Sequence, residues 1–255
     1  MTSDGETHAT ETETERAAET TIQPETDPFL SLKRGATEVY LVRHADALPG
    51  ADEVVGGGYD EQALSELGRR QARALAARMR TLELAAVYSS PIGRAHQTAA
   101  AIADAAGLDV RIEPDLREIA LGPIGPDLGA TLPPDEVAKL LRDRLREIAV
   151  IAVTTGNWSG IPGSEPSAAL RARTLAALQR LADAHPGRRI AAVSHGGAIN
   201  ACLAAILGIE RDYFFPAANT SLSVVRVRGE RRMLFALNDI AHLSEASLLG
   251  FDPSS

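Results

Sequence analysis

Val39-Tyr40-Leu41-Val42-Arg43-His44-Ala45-Asp46-Ala47 is an apolar run that ends on an arginine and a histidine. The pattern recurs far downstream in Ile190-Ala191-Ala192-Val193-Ser194-His195-Gly196-Gly197, where the histidine is followed by two glycines. Each run reads as a buried strand. In an open α/β sheet, the carboxyl ends of parallel strands are where reactive groups gather. Two imidazoles and an arginine delivered to one sheet edge make a pocket for an anion with a nucleophile inside it. Two unrelated core histidines would give the same local pattern, so the neighbouring segments have to decide.

Three of them bear on the question. Tyr88-Ser89-Ser90-Pro91-Ile92-Gly93-Arg94-Ala95-His96-Gln97-Thr98-Ala99 runs from a strand end into Ser-Ser-Pro, which predicts a helix N-cap followed by proline at the first helical position. Arg94 then falls near the amino terminus of that helix, where its fixed cation adds to N–H groups suited to phosphate. Asp115-Leu116-Arg117-Glu118 follows the strand-like Val110-Arg111-Ile112-Glu113 and brings a carboxylate to another strand end, where a general acid could sit. Leu64-Ser65-Glu66-Leu67-Gly68-Arg69-Arg70-Gln71-Ala72 starts an amphipathic helix.

Periodicity predicts strands at 37–43, 85–89, 109–113, 189–194, 221–228 and 231–237, the last two a hairpin turned by Gly229-Glu230. Helices are expected at 64–82, 91–106, 167–184 and 197–207, and a Gly-rich loop at Gly56-Gly57-Gly58. The less regular stretch 119–163 holds one clear helix near 134–150, with Val137, Leu140, Leu141, Leu145 and Ile148 at helical spacing. Alternating strands and helices imply an α/β sheet covered on both faces.

Charge sets the expected domain boundary. Residues 1–28 carry eight acids against Arg16 and almost no large apolar side chain, so residues 1–34 are expected to be a disordered acidic Thr/Glu-rich tail ahead of a domain at 35–245. With 45% hydrophobic residues in 255, one domain with a sizeable core is expected. The acidic amino terminus has no signal-peptide pattern and no run is long enough to span a membrane, so a cytoplasmic protein is expected. The near-neutral body has no basic run, which speaks against nucleic acid as a partner. Cys202, the single cysteine, lies in an apolar helix pattern and reads as packing.

Together these segments resemble the histidine phosphatase superfamily, also called the phosphoglycerate mutase-like family. The likeness rests on the Arg-His core, the Leu-Ser-x-x-Gly-x-x-Gln-Ala helix, the Ser-Ser-Pro-x-x-Arg-x-x-Gln-Thr-Ala segment and Ser-His-Gly-Gly, in family order over residues 37 to 240. The resemblance implies a three-layer α/β/α sandwich with a mostly parallel central sheet, and 119–163 as a small cap insertion over the pocket. It also implies that His44 is the nucleophile, forming a phosphohistidine that splits one difficult displacement into two. Arg43, Arg94 and His195 would surround the phosphoryl oxygens, and Glu118 would serve as acid for the leaving alcohol and then as base for water. Three cationic groups can take over the charge neutralisation that metal ions provide elsewhere, so no metal and no other cofactor is expected. Gly196 and Asn219 are read as substrate-binding, Asn219 because Asn219-Thr220-Ser221 resembles a family segment near the active site. His96 is read as surface or outer support, while His8, His185 and His242 belong to no recognised constellation.

The chain departs from the family pattern in places. Where many members read Arg-His-Gly-Glu-Thr, it has Arg43-His44-Ala45-Asp46-Ala47, and Gly50 stands where an asparagine is usual. The usual Gly-Glu-Ser appears as Gly163-Ser164-Glu165-Pro166-Ser167. The expected function is a metal-independent phosphomonoester hydrolase acting on a small phosphorylated metabolite. A phosphoglycerate mutase-type transfer is an alternative. The cap bases Lys139, Arg142, Arg144 and Arg146 all lie on one amphipathic helix, mostly on its apparent solvated face, and this favours hydrolysis. Phosphohistidine-protein phosphatase activity, or a non-catalytic binding protein of the same fold, are further alternatives. A serine hydrolase is disfavoured because no Gly-x-Ser-x-Gly elbow exists, and a kinase because no Gly-Lys-Ser/Thr follows the glycine run.

Overall fold

The computed structural model describes residues 27–47, 63–121, 133–161, 163–244 and 248, excluding the side chains of 134, 135, 137, 138 and 141. Six strands form one sheet: β1 Thr37–Arg43, β2 Leu84–Ser89, β3 Val110–Ile112, β4 Arg189–Ser194, β5 Leu222–Arg228 and β6 Arg231–Asp239. Their order is β3-β2-β4-β1-β5-β6. The first four are mutually parallel, β5 runs antiparallel to β1, and β6 runs antiparallel to β5. The helices are α1 Glu66–Met79, α2 Gly93–Ala106, α3 Pro134–Thr155, α4 Ser167–Asp183 and α5 Gly196–Leu207.

The apolar runs are continuous because both faces of the sheet are covered. Val39 and Leu41 of β1 face α4 and α5 through Ala177, Leu178, Leu181, Ile199 and Leu203. Tyr40 and Val42 face α1 and α2 through Leu75, Met79, Ala95, Ala99 and Ile102. This is the expected three-layer sandwich. Cys202 is buried in the first core, which pushes its thiol up to about 12.

The stretch 119–161 contributes to a small core of its own, in which Ile119, Ile148, Ala152, Trp158 and Ile161 pack together with Leu170 of α4 and Ala201 of α5. Its helix extends past the expected end, to Gly156 in the left-handed region (φ +74). Of the five apolar positions, Ile148 is buried but Leu140 is exposed, and the side chains of Val137 and Leu141 lie outside the described residues.

The expected boundary at residue 35 falls too late. Leu30 is fully buried, Asp27 accepts hydrogen bonds from the backbone N–H and hydroxyl of Ser31, and Arg231 donates to the Asp27 carbonyl. One large apolar side chain and one capping carboxylate are enough to draw the end of the acidic stretch onto the sheet. Residues 1–26, the glycine run 56–58 and Gly50 lie outside the described residues.

Candidate active site

Parallel pairing of β1 with β4 aligns Arg43 with Ser194, so the next residues, His44 and His195, leave the sheet side by side. Their ring centroids are 5.1 Å apart, and both side chains are buried. The His44 N–H donates to the Ser194 carbonyl at 3.0 Å, which continues the ladder by one residue.

The imidazole of His44 is fixed at both nitrogens. Nδ1 lies 2.7 Å from the Ala45 carbonyl, which can only accept, so Nδ1 carries the proton. Nε2 therefore has the lone pair, and accepts from Arg94 Nε at 3.2 Å. Burial, then the charges of Arg94 and Arg43, hold the His44 pKa well below 6.5. Burial also lowers His195, with His44, Arg94 and Arg43 adding to the effect. Both rings are therefore neutral at neutral pH.

The backbone around His44 is held from three sides. Asn219 Nδ2 donates to the His44 carbonyl at 3.0 Å, and Thr220, in the left-handed region at φ +58, donates its N–H to the Arg43 carbonyl at 3.0 Å. Thr98 Oγ accepts from Ala45 N at 3.0 Å. On the third side, Gln71 Oε1 accepts from Asp46 N at 2.9 Å, and Ser65 caps α1 while bonding the Asp46 carboxylate. A Cβ on Gly68 would lie 1.9 Å from the Asp46 carbonyl oxygen. The Leu-Ser-x-x-Gly helix is thus a clamp on the loop that follows the histidine.

Ser90 is not the helix cap that its sequence predicts. The α2 N-cap is Ile92, without a side-chain cap, because Ser90 Oγ instead meets His195 Nε2 at 2.8 Å and accepts from Ile92 N at 3.2 Å. Arg94, fully buried, still falls in the first turn of α2. His195 Nδ1 and Arg43 Nε are buried without a hydrogen-bond partner, while Arg43 Nη1 donates to the Ala217 carbonyl at 2.5 Å.

Glu118 sits against the amino terminus of α5. Its Oε1 accepts from Ala198 N and Ile119 N, both at 3.0 Å, and its Oε2 accepts from Gly197 N at 3.3 Å. A Cβ on Gly197 would come within 2.6 Å of Glu118 Oε1 and 3.1 Å of Trp158 Cζ2, so the second glycine after His195 makes room for the carboxyl.

A cavity of about 430 Å³ opens over these groups. Arg43, His44, Glu118, Gly196 and Asn219 line it, whereas Arg94 and His195 stand one layer behind. Its cap side is Leu145, Ile148 and Trp158 together with Arg142 and Arg146. Lys139, Arg142 and Arg146 are exposed, as expected, but i,i+4 spacing also sets Arg142 and Arg146 along the cavity, while Arg144 pairs with Glu147.

His96 is exposed, as expected. His185 meets the Tyr88 hydroxyl at 3.0 Å. The sequence reading missed His242, whose Nε2 lies 3.0 Å from Thr220 Oγ, directly behind the segment that holds His44. No short-range signal marks it, since its partner is a turn residue on another segment. Among the described residues, no cluster of three or more His, Cys, Asp or Glu could hold a metal ion, and no helix is long and apolar enough to cross a membrane.

Comparison with known families agrees with this geometry: residues 39–240 match the model of the histidine phosphatase superfamily, branch 1. The chain belongs to that superfamily. It is 33% identical over 172 residues to the protein named probable phosphoglycerate mutase GpmB of Yersinia enterocolitica, an alignment covering 68% of this chain and 75% of that protein. Among solved structures, YhfR of Bacillus stearothermophilus superposes with a TM-score of 0.62 at 26% identity, covering 81% of this chain and 99% of that one. A mycobacterial glucosyl-3-phosphoglycerate phosphatase superposes with a TM-score of 0.60 at 25% identity, covering 80% and 99%. The chain is a histidine phosphatase superfamily enzyme, of a group whose members hydrolyse or transfer phosphoryl groups.

Proposed function

We propose that the chain is a metal-independent phosphomonoester hydrolase of the cytoplasm that acts through phospho-His44 on a small phosphorylated metabolite. The observation that carries this reading is the state of His44: a neutral ring whose protonated Nδ1 is tied to Ala45 and whose Nε2 lone pair is held toward the Arg94 guanidinium, where a phosphoryl group would be met.

In the first half-reaction, Nε2 attacks phosphorus and the ester P–O bond breaks. Glu118 gives its proton to the departing alcohol oxygen. Arg43, whose buried Nε has no hydrogen-bond partner, takes a non-bridging oxygen, and Arg94 turns from Nε2 to a second. His195 has a free Nδ1 behind His44, and an incoming phosphoryl dianion counters the burial that keeps its ring neutral. In the second half-reaction, the Glu118 carboxylate takes a proton from water as the water oxygen attacks phosphorus. The P–N bond breaks, the lone pair returns to Nε2, and phosphate leaves. The Gly196 and Asn219 surfaces complete the floor of the site. Charge neutralisation by Arg43 and Arg94 supports metal independence.

A mutase reading draws support from Arg142 and Arg146, because cations on the cap could hold a substrate carboxylate and keep the leaving molecule in place for return transfer. The two readings separate in one experiment. Phosphate release from a panel of phosphomonoesters, in the presence of EDTA, is compared between wild type and His44→Ala. The proposal expects release that survives the chelator and is lost in the variant. Isomerised ester without free phosphate would establish the mutase instead. Equal release by His44→Ala would overturn both.

A further inference from the structure

After the short 3₁₀ turn Pro114–Leu116, the chain carrying Glu118 has no regular secondary structure. Its carboxyl must nevertheless be placed to a fraction of an ångström if it is to act on a leaving oxygen. Ser194 Oγ donates to the Leu116 carbonyl at 2.7 Å, and the rest of this segment's backbone is gripped by Arg173 of α4, itself only 9% exposed.

Arg173 uses every N–H its guanidinium possesses. Nη1 donates to the carbonyls of Asp115 at 2.7 Å and Arg117 at 2.9 Å, and Nη2 donates to the carbonyl of Glu118 at 3.0 Å. The remaining donors go to Glu165: Nε to Oε1 at 2.7 Å and Nη2 to Oε2 at 2.8 Å. Glu165 in turn grips the far side of the segment. Its N–H donates to the Ala120 carbonyl at 2.7 Å, and its Oε2 accepts from Ala120 N at 3.5 Å. The Arg173 guanidinium holds the Glu165 carboxyl below its ordinary pKa, so the pair stays charged across the neutral range. Residues 115 to 120 are therefore bound to α4 and to the segment just before it by one fully used fork.

We propose that Arg173 and Glu165 are positioning residues for Glu118, setting the proton-transfer geometry and leaving phosphoryl capture to Arg43, His44 and Arg94. This rests on the reading of Glu118 as the acid. It also gives the shifted Gly-Ser-Glu-Pro-Ser stretch a role: its glutamate orients the arginine that orients the acid.

Leaving-group dependence tests the proposal, because a misplaced general acid harms poor leaving groups selectively, whereas a loosened fold harms all substrates alike. kcat/KM, which reports steps through alcohol departure, is measured from para-nitrophenyl phosphate to simple alkyl phosphates. The enzymes are wild type, Glu118→Gln, Arg173→Lys and Glu165→Gln. A lysine keeps the charge but cannot span three carbonyls and a carboxylate. The expected result for Arg173→Lys is a loss of about 10²-fold on alkyl phosphates and under about tenfold on the nitrophenyl ester, the same direction as Glu118→Gln. Glu165→Gln should lie between that variant and wild type, and decides the matter if Arg173→Lys fails to fold. Uniform loss across the series, or none, in the folded positioning variants would overturn the proposal while Glu118→Gln remains selective. If Glu118→Gln itself shows no leaving-group dependence, the acid assignment falls and takes the proposal with it.

Discussion

Gly68→Ala sets two effects of opposite sign against each other. Gly68 lies in the first turn of α1, and helix propensity alone would have alanine stabilise the protein by up to about 1 kcal/mol. The added Cβ, however, would stand 1.9 Å from the Asp46 carbonyl oxygen and 2.9 Å from its carbon, where ordinary contact begins near 3.4 Å. The obstacle is backbone, so no rotamer relieves it. Either α1 or the loop after His44 must move by more than an ångström, breaking the Asp46–Gln71 and Ser65–Asp46 hydrogen bonds. Overpacking typically costs about 1–3 kcal/mol, and a backbone-on-backbone clash belongs at the upper end. The expected net loss is about 2 kcal/mol or more, or roughly 4–8 °C in Tm for a chain of this size. Because the displaced loop continues directly from His44, kcat/KM should fall by about 10²-fold. Gly93→Ala is the control: also in a first helical turn, its Cβ would have Gln97 Nε2 as its closest neighbour at 4.0 Å, and Tm should hold or rise slightly. Thermal melts and phosphate-release kinetics on both variants check this. A Gly68→Ala protein as stable and active as wild type would refute the reasoning.

Three further outcomes are expected. Gly197→Ala drives a methyl group against Glu118 Oε1, so hydrolysis of alkyl phosphates should drop by about 10²-fold while circular dichroism stays native; unchanged turnover would contradict the placement of the carboxyl. His44 and His195 have folded pKa values below the unfolded 6.5, so the unfolded chain binds more protons at lower pH and stability is lost as pH falls below about 6.5. The slope is up to about 1.4 kcal/mol per pH unit for each ring, and urea midpoints at pH 7.5 and 5.5 measure it; equal midpoints would refute it. Replacing Arg142 and Arg146 together with alanine should raise KM for phosphomonoesters bearing a carboxylate about tenfold or more. KM for phosphate esters of uncharged alcohols should change little, and the KM ratio of matched ester pairs reads the difference.

Much of this fold is written locally. The runs Val39–Val42 and Ile190–Val193 are apolar throughout because helices cover both faces of the sheet, and that composition alone identifies buried parallel strands. The meeting of His44 with His195 is a matter of register, which the paired strand-then-histidine pattern anticipates. Other features depend on partners distant in the chain. Ser90 carries every mark of an N-cap, yet His195 offers it a stronger demand in a buried setting. Arg173 sits on an ordinary amphipathic helix, and nothing nearby shows that three of its five donors close on a strand-end segment and two on Glu165. Arg142 and Arg146 are exposed, as their polarity suggests, but polarity does not reveal that they also line a cavity that is itself part polar. Asp27 reads as the end of an acidic stretch until its hydrogen bonds to Ser31 are seen.

The central claim is that phosphoryl transfer passes through His44 Nε2. The direct measurement is a rapid quench of the enzyme with a reactive phosphomonoester under alkaline conditions that preserve phosphohistidine, followed by mass spectrometry of the peptide containing His44. The account predicts a phosphoryl group on His44 that forms before product phosphate and is absent from His44→Ala. A phosphorylated residue elsewhere, or full turnover with no covalent species at any time, would contradict it.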